Sequence, residues 1–142
     1  MKKFIFFTLL SILLNTNSLK AEESTVTISK ITDGDTVRVI LNGREEKVRL
    51  LHIDCYETSK NKRALWQSKH YHLPLGEVLK RGNYAKQQLK YILSNYDSVK
   101  LSWEKRDLYG RILGELYTLD DNTSINELML TVGLCEKYKP RR

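Results

Sequence analysis

Arg49, Asp54 and Glu57 share one short segment, VRLLHIDCYET (48–58), which begins as an apolar strand and ends with two acids around Cys55 and Tyr56. A guanidinium grips phosphate oxygens through paired N–H donors, whereas carboxylates hold hard cations or take protons from water. Two other polar knots interrupt apolar runs. In Thr32-Asp33-Gly34-Asp35-Thr36, glycine is expected to let the backbone bend so that Asp35 serves as a hard oxygen ligand, and Asp107-Leu108-Tyr109-Gly110-Arg111 sets a second arginine beside a tyrosine. Taken singly, each knot reads as a turn with solvated charges. Taken together, they supply what attack on a phosphodiester needs: a cation and arginine forks to neutralise the phosphate, and a carboxylate to orient or deprotonate water.

These residues need a scaffold that brings them together. Branched and apolar residues alternate from Val26 to Ile53, and Asn42-Gly43 predicts a tight type I′ hairpin within that run. Strand alternation puts Arg49, Leu51 and Ile53 on one side and Leu50, His52 and Asp54 on the other. Arg49 and Asp54 therefore converge only if the strand bends or ends near Asp54. Residues 57–81 read as a long basic loop with a helical turn at Leu75–Lys80, and Tyr84, Leu89, Ile92 and Leu93 space as a helix from Asn83 to about Asn95. Strands return at SVKLSWEK and ILGELYTL. Ser124-Ile125-Asn126-Glu127 has the form of a capping box opening a helix to about Val132, with Gly133 as its stop. This order predicts a β-rich α+β domain with an antiparallel sheet, closed into a small barrel by short bent strands.

Met1-Lys2-Lys3, an apolar run from Phe4 to Leu14, and Leu19-Lys20-Ala21 read as a signal peptide over 1–21, leaving 22–142 as a single domain. Export to the periplasm or medium is expected, with no stable membrane insertion once the signal is cleaved. Of 24 basic residues, Lys2, Lys3 and Lys20 lie in that segment, so 21 remain beside 17 acids and the formal charge falls from +7 to +4. That balance permits a polyanionic partner without arguing for one. Cys55 and Cys135 would enter an oxidising compartment, where whether they pair depends on the fold. With His52, His70 and His72 they give no zinc-ligand spacing.

TDGDTV, RLLHIDCYET and DLYGR, in this order and followed by SINELMLTVGL, resemble the staphylococcal nuclease family over most of residues 26–138. The resemblance implies an OB-fold, a five-stranded antiparallel barrel with two or three packed helices. It implies a calcium-dependent endonuclease that hydrolyses DNA and RNA to 3′-phosphate products; the chain is expected to act as a monomer. Asp35, Asp54 and the main-chain carbonyl of Cys55 would hold Ca2+, Arg49 and Arg111 would stabilise the phosphate transition state, and Glu57 would position or activate water. Asp33 would support the metal's waters. Tyr109 would lie near a terminal phosphate, and Tyr138 would offer a stacking face. Lys60, Lys62 and Arg63 of the basic loop are candidate strand contacts, while Trp66 and Tyr71 would either stack on bases or pin the loop. The resemblance also brings the segment after the last Gly-Leu near the metal-bearing strand end, making Cys55 and Cys135 a candidate disulfide. Where the family reads Asp-Thr-Pro-Glu, this chain has Asp54-Cys55-Tyr56-Glu57 and loses the stiffening proline. The same fold also serves noncatalytic binding modules of nucleic acid or protein, but those are expected to lack the acids and arginines retained here.

Overall fold

The computed structural model describes residues 20–139, so most of the signal peptide expected over 1–21 lies outside the described residues. Strands β1 (Glu22–Asp33), β2 (Thr36–Leu41) and β3 (Arg44–Leu50) form a meander, followed by the short β4 (Ile53–Cys55). Two helices, α1 (Lys62–His70) and α2 (Leu75–Leu93), precede β5 (Val99–Arg106) and β6 (Ile112–Tyr117). Helix α3 (Ile125–Thr131) and β7 (Cys135–Lys137) complete the described chain.

The barrel closes in the order β1-β2-β3-β6-β5, with β1 long enough to pair with β2 through its second half and with β5 through its first. This is the five-stranded OB-type barrel with three helices. Its pairing is mixed rather than wholly antiparallel, because β3 and β6 run parallel, with Val48 opposite Ile112 and Leu50 opposite Gly114. The crossover through α1, α2 and β5 returns the chain to that seam in β3's direction. Inside, Val37, Val39, Val48, Leu101, Ile112 and Leu116 are fully buried, and Ile125 and Met129 of α3 join the same core.

Local chemistry accounts for the element ends. Asn42 and Gly43 have φ of 50° and 76°, the left-handed pair that a type I′ turn requires. Ser124 accepts from the Glu127 amide at 3.2 Å, and Gly133 at φ 75° follows α3.

Residues 57–81 are not a loop. Asn61 caps α1 by accepting from the Ala64 amide, and α2 starts at Leu75, two turns before Asn83. The buried stripe of α2 is Val78, Gly82, Ala85, Leu89 and Leu93, which is helical spacing. Its middle members are small, so a hydrophobicity pattern passes over them. Among the described residues, no helix is long and apolar enough to cross a membrane.

Candidate active site

The strand carrying Arg49 ends at Leu50, and His52 takes a left-handed φ of 67° before β4 begins at Ile53. That break lets two residues from opposite strand faces meet. Asn126 of α3 fixes the corner, donating to the carbonyls of Leu51 at 3.0 Å and Gly114 at 3.2 Å while accepting from the Leu116 amide. Opposite Arg49 in register stands Thr36, which places the β1–β2 turn and its Asp35 beside the same corner.

Asp35 and Asp54 flank one guanidinium: Arg49 Nη1 lies 3.4 Å from Asp35 Oδ2, and Nη2 lies 3.4 Å from Asp54 Oδ1. Arg49 Nη1 also donates to the carbonyls of Leu50 and Ile53, both at 2.9 Å, and to that of Asp35 at 3.4 Å. It thus stitches the strand break as well as pairing with the acids. Asp35 accepts from the Cys55 amide at 2.7 Å and the Thr36 hydroxyl at 3.1 Å. Burial raises its carboxyl above the ordinary aspartate value, partly offset by Arg49 and the Cys55 amide, while the charge of Asp54 pushes it further up.

Glu57 stands on the next turn. Its Oε2 accepts from Asn61 Nδ2 at 2.7 Å and its amide donates to Gln67 Oε1 at 2.9 Å. Burial raises its carboxyl too; Asn61 opposes the shift, while Asp33 and Asp35 add to it. Asp33 itself accepts from the Thr58 hydroxyl at 2.6 Å.

Two glycines let backbone approach this turn. A Cβ on Gly82 of α2 would fall 2.0 Å from the Glu57 carbonyl oxygen. The chain turns at Gly34 as expected, between the paired Asp33 and Thr36, but with no positive φ; glycine there also gives space, since a Cβ would meet Ala85 Cβ at 2.8 Å and Cys55 Sγ at 3.1 Å. Cys55 and Cys135, paired in register between β4 and β7, are joined by a disulfide. Gly82→Ala should displace the Glu57 turn, lowering thermal stability by about 1–3 kcal/mol through overpacking. Its turnover should fall about tenfold or more, because catalytic geometry tolerates little displacement. Melting curves and initial rates on one preparation check both.

An oxygen donor set of Asp35, Asp54 and the Cys55 carbonyl suits a hard cation. Among the described residues no group of three or more His, Cys, Asp or Glu side chains gathers as a metal site. That does not conflict with this donor set, which has two carboxylates and a main-chain oxygen. Two acids sharing a guanidinium, one of them buried and raised, form a place that a divalent cation would relieve electrostatically. The residues present therefore fit calcium.

Arg111 is not drawn into this cluster. Its Nε donates to Asp107 Oδ2 at 2.7 Å, and its guanidinium carbon lies 5.7 Å from the Tyr109 ring. Asp107 also accepts from the amides of Tyr109 and Arg111, so it builds the hairpin that carries both. The parallel seam still sets the entry to β6 alongside β3, and among the described residues no hydrogen bond occupies the Nη atoms of Arg111. Tyr109 is largely exposed at the hairpin tip, while Tyr138, exposed after β7, binds the His52 carbonyl through its amide.

The basic trio divides. Lys60 and Lys62 are exposed at the start of α1, but Arg63 pairs with Asp54 and lies 4.3 Å above the Trp66 ring. Trp66 stacks on His70 at 4.4 Å and Tyr71 meets Tyr56 edge-on at 5.4 Å, so these aromatics pin α1 to the site. The sequence reading missed Asn61, Gln67 and Gly82. Asn61 alone left a signal, as a capping residue ahead of Lys62.

The profile of staphylococcal nuclease homologues matches residues 47–142, a stretch that includes Arg49, Asp54, Glu57 and Arg111 and begins shortly after Asp35. Relatives include Endonuclease YncB and the SPbeta prophage-derived endonuclease YokF of Bacillus subtilis (strain 168), each 34% identical over 112 residues. An uncharacterized endonuclease of Escherichia coli is 24% identical over 112 residues. The matches cover 77%, 77% and 79% of this chain but only 46%, 32% and 60% of those proteins, so the chain spans about half their length. Profile, barrel and the Asp35-Arg49-Asp54 cluster agree: this chain belongs to the staphylococcal nuclease family.

Proposed function

We propose that this chain is an exported, calcium-dependent endonuclease that hydrolyses phosphodiester bonds of DNA and RNA and leaves 3′-phosphate products. The observation that carries this reading is the convergence of Asp35 and Asp54 on Arg49, with Glu57 on the adjoining turn. Family membership and relatives named as endonucleases support it. Asp35, Asp54 and the Cys55 carbonyl would hold calcium, which when bound would neutralise charge on the phosphate.

The protein's own groups divide the remaining work. Arg49 stands between the acids, where its Nη2 can serve a phosphate oxygen at the cost of a 3.4 Å contact to Asp54. Arg111 brings a second fork from the β5–β6 hairpin, and Tyr109 flanks it. Glu57, with a carboxyl raised by burial, is a stronger base than an exposed glutamate and is aimed by Asn61. Lys60 and Lys62 add sequence-independent, salt-sensitive attraction for the strand. The leader predicted over 1–21 underlies the exported setting.

The test is digestion of single-stranded DNA and RNA by residues 22–142, with calcium and with chelator, beside Glu57→Gln and Arg111→Ala. Each substitution should lower the rate at least about tenfold, equivalent to about 1.4 kcal/mol of transition-state stabilisation. Binding without cleavage would instead assign the chain to noncatalytic modules. Activity indifferent to both substitutions would remove the mechanism.

A further inference from the structure

Cys55-Tyr56-Glu57 must present two groups at once, the carbonyl of Cys55 and the side chain of Glu57, and no proline stiffens it. Gln67 of α1 spans the turn. Its Nε2 donates to the Cys55 carbonyl at 3.0 Å, and its Oε1 accepts from the Glu57 amide at 2.9 Å. A carbonyl only accepts and an amide N–H only donates, so the two partners fix the orientation of the Gln67 amide. A carboxamide offers donor and acceptor on one rigid plane and does so without depending on protonation state. Gln67 is 2% exposed, so water cannot replace either bond cheaply.

The helix that carries Gln67 is itself tied to the site. Asn61 accepts from the Ala64 amide to cap α1 and donates to Glu57 Oε2, so one helix grips both the main chain and the carboxylate of Glu57. Ala64, between them, is fully buried, and Arg63 holds Asp54. From the opposite side the backbone at Gly82 closes on the Glu57 carbonyl, leaving the turn clamped between two helices.

Resting on the nuclease reading, we propose that Gln67 is a positioning residue that sets the spacing between the Cys55 carbonyl and Glu57, and that α1 acts as a clamp on the catalytic turn. The carbonyl keeps its second lone pair for a cation while the first is held by Gln67. Substrate contact is not part of this role, so turnover should suffer and substrate affinity should not.

Gln67→Met keeps the side-chain length and removes both hydrogen bonds, whereas Gln67→Glu keeps an acceptor for the Glu57 amide. Assayed well below its melting temperature, the methionine variant should lose about 30- to 100-fold in kcat, the scale of a misplacement near 1 Å. KM for single-stranded DNA should stay within about threefold, since binding contacts are intact. Gln67→Glu should retain more turnover than Gln67→Met. Amide hydrogen exchange, measured by NMR on calcium-free protein, supplies the readout independent of activity. Exchange at Glu57 should quicken about tenfold or more in the methionine variant while Leu50 and Leu116 keep their protection.

Unchanged kcat with unchanged exchange at Glu57 would overturn the proposal. So would an equal loss of protection across the barrel, which would make Gln67 a packing residue. A wild-type chain that cleaves nothing would sink the nuclease reading instead, and the exchange arm would then decide alone whether Gln67 holds the turn.

Discussion

Arg49→Ala is expected both to slow cleavage severely and to destabilise the fold, whereas Arg111→Ala should slow cleavage at least about tenfold at little cost in stability. The two arginines look equivalent in sequence as phosphate forks. In the structure Arg49 is 16% exposed and serves three carbonyls and two carboxylates. Its removal leaves the carbonyls of Leu50 and Ile53 without that donor and sets Asp35 and Asp54 against each other. Breaking such a pair from one side costs about 3–4 kcal/mol. For a domain of this size the melting temperature should fall by roughly 10 °C or more. The rate should drop at least about 10³-fold, the upper scale for losing one electrostatic stabiliser. Arg49→Lys should recover part of the stability and little activity, because an ammonium cannot span both acids and the carbonyls at once. Arg111, by contrast, pairs with an aspartate in its own hairpin, and that aspartate still accepts two main-chain amides when the side chain is gone. Arg49→Ala melting like wild type would remove the stitching role given to Arg49.

Asp35→Asn should make the metal-free protein more stable and the enzyme inactive. Burial is the largest influence on the Asp35 carboxyl and outweighs Arg49, so the ionised form is disfavoured in the fold. Asparagine keeps an oxygen for the Cys55 amide without the charge. Its melting temperature in chelator should rise by roughly 3–5 °C, corresponding to about 1 kcal/mol. Cleavage should fall about 100-fold or more through loss of a cation ligand. The sign with pH is definite. Because the folded carboxyl titrates above its ordinary value of 3.8, the stability it lends is fully present below that pH and is lost as pH rises through the folded value. Wild type and variant should therefore melt alike near pH 3.5 and separate towards neutrality. A variant less stable than wild type at neutral pH in chelator would show that the Arg49 pair, not burial, dominates at Asp35.

The local chemistry was legible where a residue type answers to one conformation. Asn42-Gly43 specified its hairpin, Ser124 its cap and Gly133 its stop, and the alternating strands of β2, β3, β5 and β6 could be read directly. Of the first two helices only the turn at Leu75–Lys80 and the apolar spacing after Asn83 were readable; α1 and the continuity of α2 through Gly82 and Ala85 were not, since the buried contacts there are Ala64, Gln67, Gly82 and Ala85 rather than large apolar side chains. The parallel β3–β6 seam joins strands far apart in the chain, and no local pattern records it. At the site, the requirement that the strand break between Arg49 and Asp54 was readable, but its means was not. A histidine in left-handed conformation carries no glycine signal. The charge of Arg63, which makes it a candidate strand contact, shows in sequence, whereas its pairing with Asp54 does not.

The most direct measurement is cleavage of a 5′-labelled single-stranded DNA by residues 22–142, first in chelator, then with calcium restored, with the new 3′ ends analysed. Adding calcium should raise the rate at least about 100-fold, as expected when a cation supplies the charge neutralisation. The products should carry 3′-phosphates. Equal cleavage in chelator and calcium, or none in either, would contradict a calcium-dependent nuclease.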